Sequence, residues 1–104
     1  MPLNIDYSKI PGSAVMQAGV MRYLENGRPP GHFLTAIICN DLSKAVAYGD
    51  LENQALLVDW VKFFYNEAPG NSWGNPKIMN AWLNSFDKDG NKIAPVEDDR
   101  GNEP

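Results

Sequence analysis

The sequence is poor in the residues that most catalytic and metal sites use. It contains one cysteine, Cys39, and one histidine, His32, among 104 residues. A single cysteine excludes an intrachain disulfide, and its place in the apolar run AIICN predicts a buried thiol. The common zinc, thiol-redox, nucleophile-elbow and phosphate-loop motifs are missing. Glu52 and Asp59 could form an acid–base pair, but two solvated surface charges explain them better. The sequence therefore predicts a protein that is not an enzyme and holds no metal or cofactor.

Positive charge and long apolar runs are also scarce. Nine Lys and Arg residues stand against 13 Asp and Glu residues, so the formal net charge is −4. Such a balance argues against binding to duplex nucleic acid, which needs a basic surface, but allows a small anion held by a few local cations. No apolar stretch is long enough for a signal peptide or a membrane span. The expected location is the cytoplasm.

Alternation of apolar and polar residues is absent, and helical periodicity is present. The chain is long enough for one small domain, so we expect an all-α domain of about four helices over residues 1–92 and a disordered acidic tail over residues 93–104. Met1 to Ile10 are expected to form an extended arm. Ser13 is the predicted N-cap of the first helix, which ends near Asn26 at the left-handed stop Gly27.

The stretch from Pro29 to Tyr48 predicts the second helix. Pro29 and Pro30 suit a helix start, and apolar residues recur at Leu34, Ile38 and Leu42. Asn40 and Asp41 are unfavourable inside a helix because their side chains compete for backbone hydrogen bonds. Two explanations stay open. The helix breaks at Asn40, with Asn40 or Asp41 capping a new short helix, or these residues form a polar notch that binds a ligand.

The third and fourth helices are marked by caps and apolar residues. Asp50 is the predicted N-cap of the third helix, whose residues Leu56 to Phe64 are apolar around more than half of its circumference. Such a helix is central to the fold, lies in a subunit interface, or does both. Asn75 and Pro76 open the fourth helix. The following segment DKDGNK predicts a turn, because its glycine comes too early for a calcium-binding EF-hand.

The remaining side chains favour binding of a nucleotide. Aromatic rings and carboxamides hold purine bases, whereas basic side chains and the free N–H groups of a helix start hold phosphates. The chain offers rings at Tyr7, Phe33 and Trp73 and carboxamides at Asn40, Asn71 and Asn75. For a phosphate it offers Arg28, the Gly31 and His32 backbone amides and Lys44. Pro30, which fixes the helix start, is counted among the predicted ligand-binding residues. Several have ordinary roles too, such as arm anchor for Tyr7, core residue for Phe33, cap for Asn75 and solvated surface for Lys44. We predict that the helix start at Gly31 and the Trp73 loop form one nucleotide site.

Short motifs in fixed order along residues 10–82 resemble those of a widespread set of small phage and prophage proteins. The pattern is I-P, Y-x-x-x-G-x-P-P-G-x-F-L, N-D-L, D-x-x-N, Y-N-x-x-P, W-G-x and a closing Trp. It stands here at Ile10-Pro11, Tyr23 to Leu34, Asn40 to Leu42, Asp50 to Asn53, Tyr65 to Pro69, Trp73-Gly74 and Trp82. The set is similar to the fourth anti-CBASS family of sponge proteins. The tripeptide WGN departs from the expected W-G-S, so a ligand role for a serine after Gly74 does not carry over.

The resemblance implies a phage immune-evasion protein acting in an infected bacterial host. Such a protein binds and sequesters a cyclic dinucleotide, such as 3′,3′-cyclic GMP–AMP, without cleaving it, and assembles as a tetramer. The apolar surface of residues 56–64 also favours a homo-oligomer, because so short a chain buries little of its own surface. Two other hypotheses remain: a phage inhibitor that blocks a host protein through its apolar third helix, and a structural or assembly adaptor.

Overall fold

The computed structural model describes residues 5–93, which form an all-α domain and confirm the predicted fold class. The six α-helices are α1 (Ala14–Asn26), α2 (His32–Ile38), α3 (Leu42–Tyr48), α4 (Leu51–Ala55), α5 (Leu57–Glu67) and α6 (Pro76–Asn84). Of two 3-10 turns, Tyr7–Lys9 precedes α1 and Gly70–Ser72 lies between α5 and α6. The first four residues and nearly all of the predicted tail lie outside the described range. Within that range, none of the helices has the length and apolar character that crossing a membrane requires.

Local cap chemistry sets the helix starts where the sequence predicts them. The side chains of Ser13, Asp41, Asp50 and Asn75 each accept a hydrogen bond from the backbone N–H three residues later. Gly27 ends α1 in the left-handed conformation, with φ of 65°. These bonds satisfy N–H and C=O groups that the helix ladder leaves unpaired.

The predicted second helix is broken at Asn40, as one of the two open explanations stated. Asn40 has φ of 61°, and the next N–H, that of Asp41, donates to the Ala36 carbonyl at 2.8 Å. Asn40 thus takes the helix-ending position that glycine usually fills, because asparagine tolerates the left-handed region better than most residues. Asp41 then caps α3. The break folds α3 back onto α2.

The predicted third helix is also divided, which the sequence analysis missed. Leu56 leaves the helical region, with φ of −101° and ψ of 13°, and separates α4 from α5. On α4, the buried Asn53 accepts a hydrogen bond at 3.1 Å from the indole N–H of Trp60 on α5. The carboxamide gains a partner inside the core, since a buried polar group without one is costly. The count is therefore six helices rather than about four.

Large aromatic and aliphatic side chains from most helices form one core. The largest fully buried side chains are those of Trp60, Tyr23, Phe64, Leu24, Ile38 and Val20. Two hydrogen bonds tie distant segments to α1: the Tyr23 hydroxyl donates to the Ser72 carbonyl at 2.7 Å, and the Trp82 indole donates to the Tyr23 carbonyl at 3.2 Å. On α1, the core face is made by Val20, Tyr23 and Leu24, whereas the apolar side chains of Val15 and Met21 are exposed.

The two ends of the described range pack on α1. Tyr7 belongs to a 3-10 turn, not to a fully extended arm, and its hydroxyl donates to Glu25 Oε2 at 2.7 Å. At the other end, the predicted turn DKDGNK is confirmed: one Asp87 oxygen accepts the N–H groups of Asp89 and Asn91. Asn26 donates to the Gly90 carbonyl and so holds this turn against the end of α1.

Candidate functional site

A groove runs between the α2–α3 pair and α5. Its volume is about 410 Å³. Its lining includes the small or aliphatic residues Ala36 and Ile37 of α2, Ala45 of α3, and Leu57 and Val61 of α5. The lining is completed by Asn40, Asp41, Leu42, Val58, Lys62 and Tyr65. A concave apolar surface with a few polar groups is the usual form of a small-molecule site.

The helix α5 has two apolar faces, and the groove uses the outer one. Trp60, Phe63 and Phe64 point into the core of the same chain and are nearly inaccessible to solvent. Leu57, Val58, Val61 and Tyr65 repeat at helical spacing along the groove side. The side chains of Val58 and Tyr65 are 67% and 76% exposed to solvent, and Leu42, on the opposite side of the groove, is 69% exposed. The helix is central to the fold and also carries an uncovered apolar stripe.

Polar groups stand at the α2–α3 corner and on α5. Asn40 lies in the left-handed region and reaches the groove from the corner between α2 and α3. Asp41 follows it, and its Oδ1 accepts the Lys44 backbone N–H at 3.2 Å, which leaves Oδ2 for another donor. Lys62 places an ammonium group on the α5 side. The groove therefore presents a carboxamide, a carboxylate and a cation around an apolar floor.

The helix start predicted to bind phosphate lies away from this groove. Gly31 is the N-cap of α2 and, as a glycine, has no side chain to cap the helix. The Pro30 carbonyl accepts a hydrogen bond from the Thr35 hydroxyl at 3.4 Å. The exposed His32 ring stacks on Tyr48 with a centroid separation of 4.9 Å. These residues form an exposed aromatic pair beside a short helix start.

Arg28 is directed elsewhere. One of its guanidinium nitrogens, Nη2, donates to the Lys88 carbonyl at 3.4 Å, so its side chain reaches the C-terminal turn. Lys44 is exposed on α3, and Tyr7 is bound to Glu25 beside α1. The described contacts do not bring these three predicted ligand residues together.

Two of the predicted stacking rings are packed against the interior. Phe33 is 7% exposed and meets Trp60 edge-on at 6.0 Å, which is the core role that the sequence left open. Trp73 is half-buried and lies 6.0 Å from Phe64, while Asn71 beside it is exposed. A base could stack on Trp73 only from its outer side.

The Trp73 loop and the α2 start occupy opposite ends of α2. The Gly74 N–H donates to the Ile38 carbonyl at 2.7 Å, which fixes the loop at the C-terminal end of the helix. His32 begins the same helix, and six residues of rise separate the two ends by about 9 Å. The two parts of the predicted site therefore lie about 9 Å apart, at the two ends of α2. Of the predicted ligand residues, Asn40 lines the groove.

The Cys39 thiol and the Tyr7 hydroxyl both have pKa values above their ordinary values. Burial, and secondarily Asp41, raises the pKa of the Cys39 thiol, whose sulfur lies 3.5 Å from the Met79 sulfur. Burial and the hydrogen bond to Glu25 raise the pKa of the Tyr7 hydroxyl. Nucleophilic catalysis at neutral pH requires the opposite shift. Among residues 5–93, no three His, Cys, Asp or Glu side chains gather where they could hold a metal ion.

No protein-family model, curated protein or solved structure matches this chain. The relationship to phage sponge proteins accordingly stays a prediction from the motifs. The groove is the described feature on which a functional proposal can rest.

Proposed function

We propose that this protein is a non-enzymatic phage protein that binds and sequesters a purine-containing cyclic dinucleotide, such as 3′,3′-cyclic GMP–AMP, and thereby blocks CBASS-type host defence. The observation that supports the proposal is the groove, which combines an apolar floor with the Asn40 carboxamide. Sequestration needs affinity without turnover, so binding contacts are sufficient for it. The tetramer implied by the resemblance belongs to the same proposal.

The floor and walls of the groove suit a flat heterocycle. A volume of about 410 Å³ lies within the range of roughly 300–1,000 Å³ that small-molecule sites occupy. Ala36 and Ala45 leave room for a ring because their side chains are short. Tyr65 supplies an aromatic face at one wall, and stacking on such a face contributes about 1–3 kcal/mol per base.

The polar groups match the edge and the phosphate of a nucleotide. The Asn40 carboxamide offers both a donor and an acceptor, which a purine edge can use together. The Asp41 carboxylate accepts only, so it favours a base edge that donates, as guanine's does. Lys62 would hold the phosphate, at the α5 side and away from the Asp41 charge.

Binding measurements on variants can tell whether the ligand lies in the groove or at the start of α2. We expect 3′,3′-cyclic GMP–AMP to raise the melting temperature of the parent protein, whereas an equimolar mixture of AMP and GMP raises it less. Asn40→Gly removes the carboxamide and keeps a residue that accepts the left-handed backbone, so it should weaken calorimetric affinity about tenfold without unfolding. Tyr65→Ala should weaken it by a similar or larger factor.

The control variant is His32→Ala, which removes an exposed ring outside the groove. It should bind like the parent. Loss of affinity in His32→Ala and Arg28→Ala, with full affinity in Asn40→Gly, would place the ligand at the α2 start instead. Absence of any heat or melting shift with the cyclic dinucleotide would refute the proposal.

A second candidate is a phage inhibitor or adaptor that docks on a host protein through the same face. The exposed apolar side chains of Leu42, Val58 and Tyr65 favour it, because such patches often mark protein contacts. This candidate predicts a host protein that co-purifies with the parent chain and is lost with Val58→Asp, together with no response to cyclic nucleotides.

A further inference from the structure

The break between α2 and α3 brings Asn40 to the groove, and its geometry depends on the last carbonyl groups of α2. A helix end leaves carbonyl groups without partners in the helix, and a buried one needs a donor from elsewhere. The Ala36 carbonyl accepts the Asp41 N–H at 2.8 Å, within the break itself. The Ile38 carbonyl accepts the Gly74 N–H at 2.7 Å, from a loop far along the chain. Because Ile38 is only 1% exposed, water has little access to replace Gly74 as the donor.

We infer that the Trp73-Gly74 dipeptide positions Asn40 for the ligand and does not itself contact the ligand. The Gly74 N–H fixes the end of α2 two residues before Asn40, which takes the left-handed conformation with φ of 61°. The part of the inference that concerns the ligand rests on the function proposed above. The hold of the loop on Asn40 rests on the contacts of the folded chain alone.

The loop that carries Gly74 is anchored to the core at two neighbouring residues. Ser72 is fully buried, and its carbonyl accepts the Tyr23 hydroxyl of α1 at 2.7 Å. The half-buried Trp73 ring packs against Phe64 of α5, with a centroid separation of 6.0 Å. These contacts join the loop to two helices that form the core. The loop is therefore a firm support for the hydrogen bond to α2.

The backbone at Gly74 requires a glycine. Its φ is 138°, a conformation that other residues rarely adopt, and an added Cβ would lie 3.2 Å from the Ile78 side chain. On its C-terminal side, Asn75 is fixed because its side chain caps α6 and accepts the Ile78 N–H at 2.8 Å. Gly74→Ala therefore relieves its strain most readily at the peptide group that joins residues 73 and 74, whose N–H binds Ile38. The substitution should loosen the end of α2.

Amide exchange measured without ligand tests the hold of the loop on Asn40. In Gly74→Ala, the Asp41 N–H, which closes the break, should exchange at least tenfold faster than in the parent. Gly90→Ala is the matched control. Gly90 also has a positive φ, of 83°, and an added Cβ would also have its nearest heavy atom at 3.2 Å, but it lies in the C-terminal turn. Gly90→Ala should leave Asp41 exchange within twofold of the parent, after correction for global stability by the exchange of the Trp60 N–H in the core.

Calorimetric titration with 3′,3′-cyclic GMP–AMP tests the positioning by a double-mutant cycle. Gly74→Ala should weaken binding at least threefold, whereas Gly90→Ala should bind like the parent. In the Asn40→Gly background, Gly74→Ala should weaken binding by less than twofold more, because the group that it positions is already absent. A residue that only stabilises the fold would show no such dependence on Asn40.

Trp73→Ala provides a second variant, because it removes the packing of the same loop on Phe64. It should weaken binding at least threefold in the parent and less than twofold in the Asn40→Gly background. If Trp73 stacked on a base instead, its removal would weaken binding about tenfold in both backgrounds. If Gly74→Ala fails to fold, Trp73→Ala decides the question.

The two kinds of measurement separate this inference from the proposed function. Faster Asp41 exchange in Gly74→Ala, in a protein that binds no cyclic dinucleotide, supports the hold on Asn40 and refutes the proposed function. Parent-like exchange and affinity in Gly74→Ala, with weakened binding in Asn40→Gly, overturns the inference and leaves the proposed function standing. Additive losses of affinity for Trp73→Ala and Asn40→Gly also overturn the inference, because they indicate two independent contacts with the ligand.

Discussion

Replacing Gly27 by alanine should destabilise the fold by a calculable amount. Gly27 ends α1 with φ of 65°, a conformation that costs an alanine roughly 1 kcal/mol. A Cβ at this position would also lie within 2.7 Å of three carbons of the Phe86 side chain. Phe86 is buried and meets Trp82 edge-on at 5.6 Å, so it cannot move without losing contacts.

The backbone strain and the clash with Phe86 together predict a substantial decrease in the free energy of unfolding. Overpacking in a closed core typically costs about 1–3 kcal/mol, so Gly27→Ala should lower the free energy of unfolding by about 2–4 kcal/mol. For a domain of this size, each kcal/mol corresponds to roughly 4–8 °C in melting temperature. Urea unfolding followed by circular dichroism measures the change, with the slope m checked for constancy.

Substitutions at two other glycines serve as comparisons for Gly27→Ala. At Gly90, with φ of 83°, the nearest heavy atom to an added Cβ is 3.2 Å away, so Gly90→Ala should cost about 1–2 kcal/mol. At Gly31, an added Cβ meets nothing within 4 Å, so Gly31→Ala should cost only the preference of an N-cap for glycine over alanine, about 0.5–1 kcal/mol. Equal stabilities for all three variants would refute both the left-handed cap and the Phe86 contact.

Three further predictions concern polar side chains that the fold buries wholly or in part. Asn53→Ala should cost about 1–3 kcal/mol in urea unfolding, because the Trp60 indole N–H loses its acceptor in the core; an unchanged midpoint would contradict this. Tyr23→Phe should cost about 1 kcal/mol and speed amide exchange in the loop that contains Ser72, whose carbonyl accepts the Tyr23 hydroxyl; parent-like exchange would count against it. Cys39 is half-buried rather than fully buried as the sequence predicted, and burial raises its pKa; it should react with a thiol reagent at pH 8.5 more slowly than a free cysteine, and equal rates would contradict the raised pKa.

Helix starts were predictable because cap chemistry is local. Ser13, Asp41 and Asn75 each bind a backbone N–H only three residues away, so the pattern is visible in any short stretch. The break at Asn40 was one of two interpretations that the sequence left open. A carboxamide inside a helical pattern either ends the helix or forms a polar notch that binds a ligand. The split at Leu56 was not predicted, because no proline, glycine or capping side chain stands at that position.

The candidate site was only partly predictable. Asn40 was predicted as a ligand residue and lines the groove, whereas Val58, Val61, Lys62 and Tyr65 were not predicted. The apolar circumference of α5 was the sequence signal for the three that are not charged. Periodicity shows that such a helix has apolar residues on several sides. It does not show which side faces the core of the same chain.

The sequence alone determined the all-α class and most helix boundaries, because helical periodicity and caps act over a few residues. Tertiary structure decided which of the predicted residues lie together. Gly31 and Trp73, which the sequence suggested as partners, are separated by the length of α2, because the Gly74 N–H bonds to the Ile38 carbonyl at its far end. Contacts between segments distant in the chain depend on how helices pack, and no local pattern encodes that arrangement.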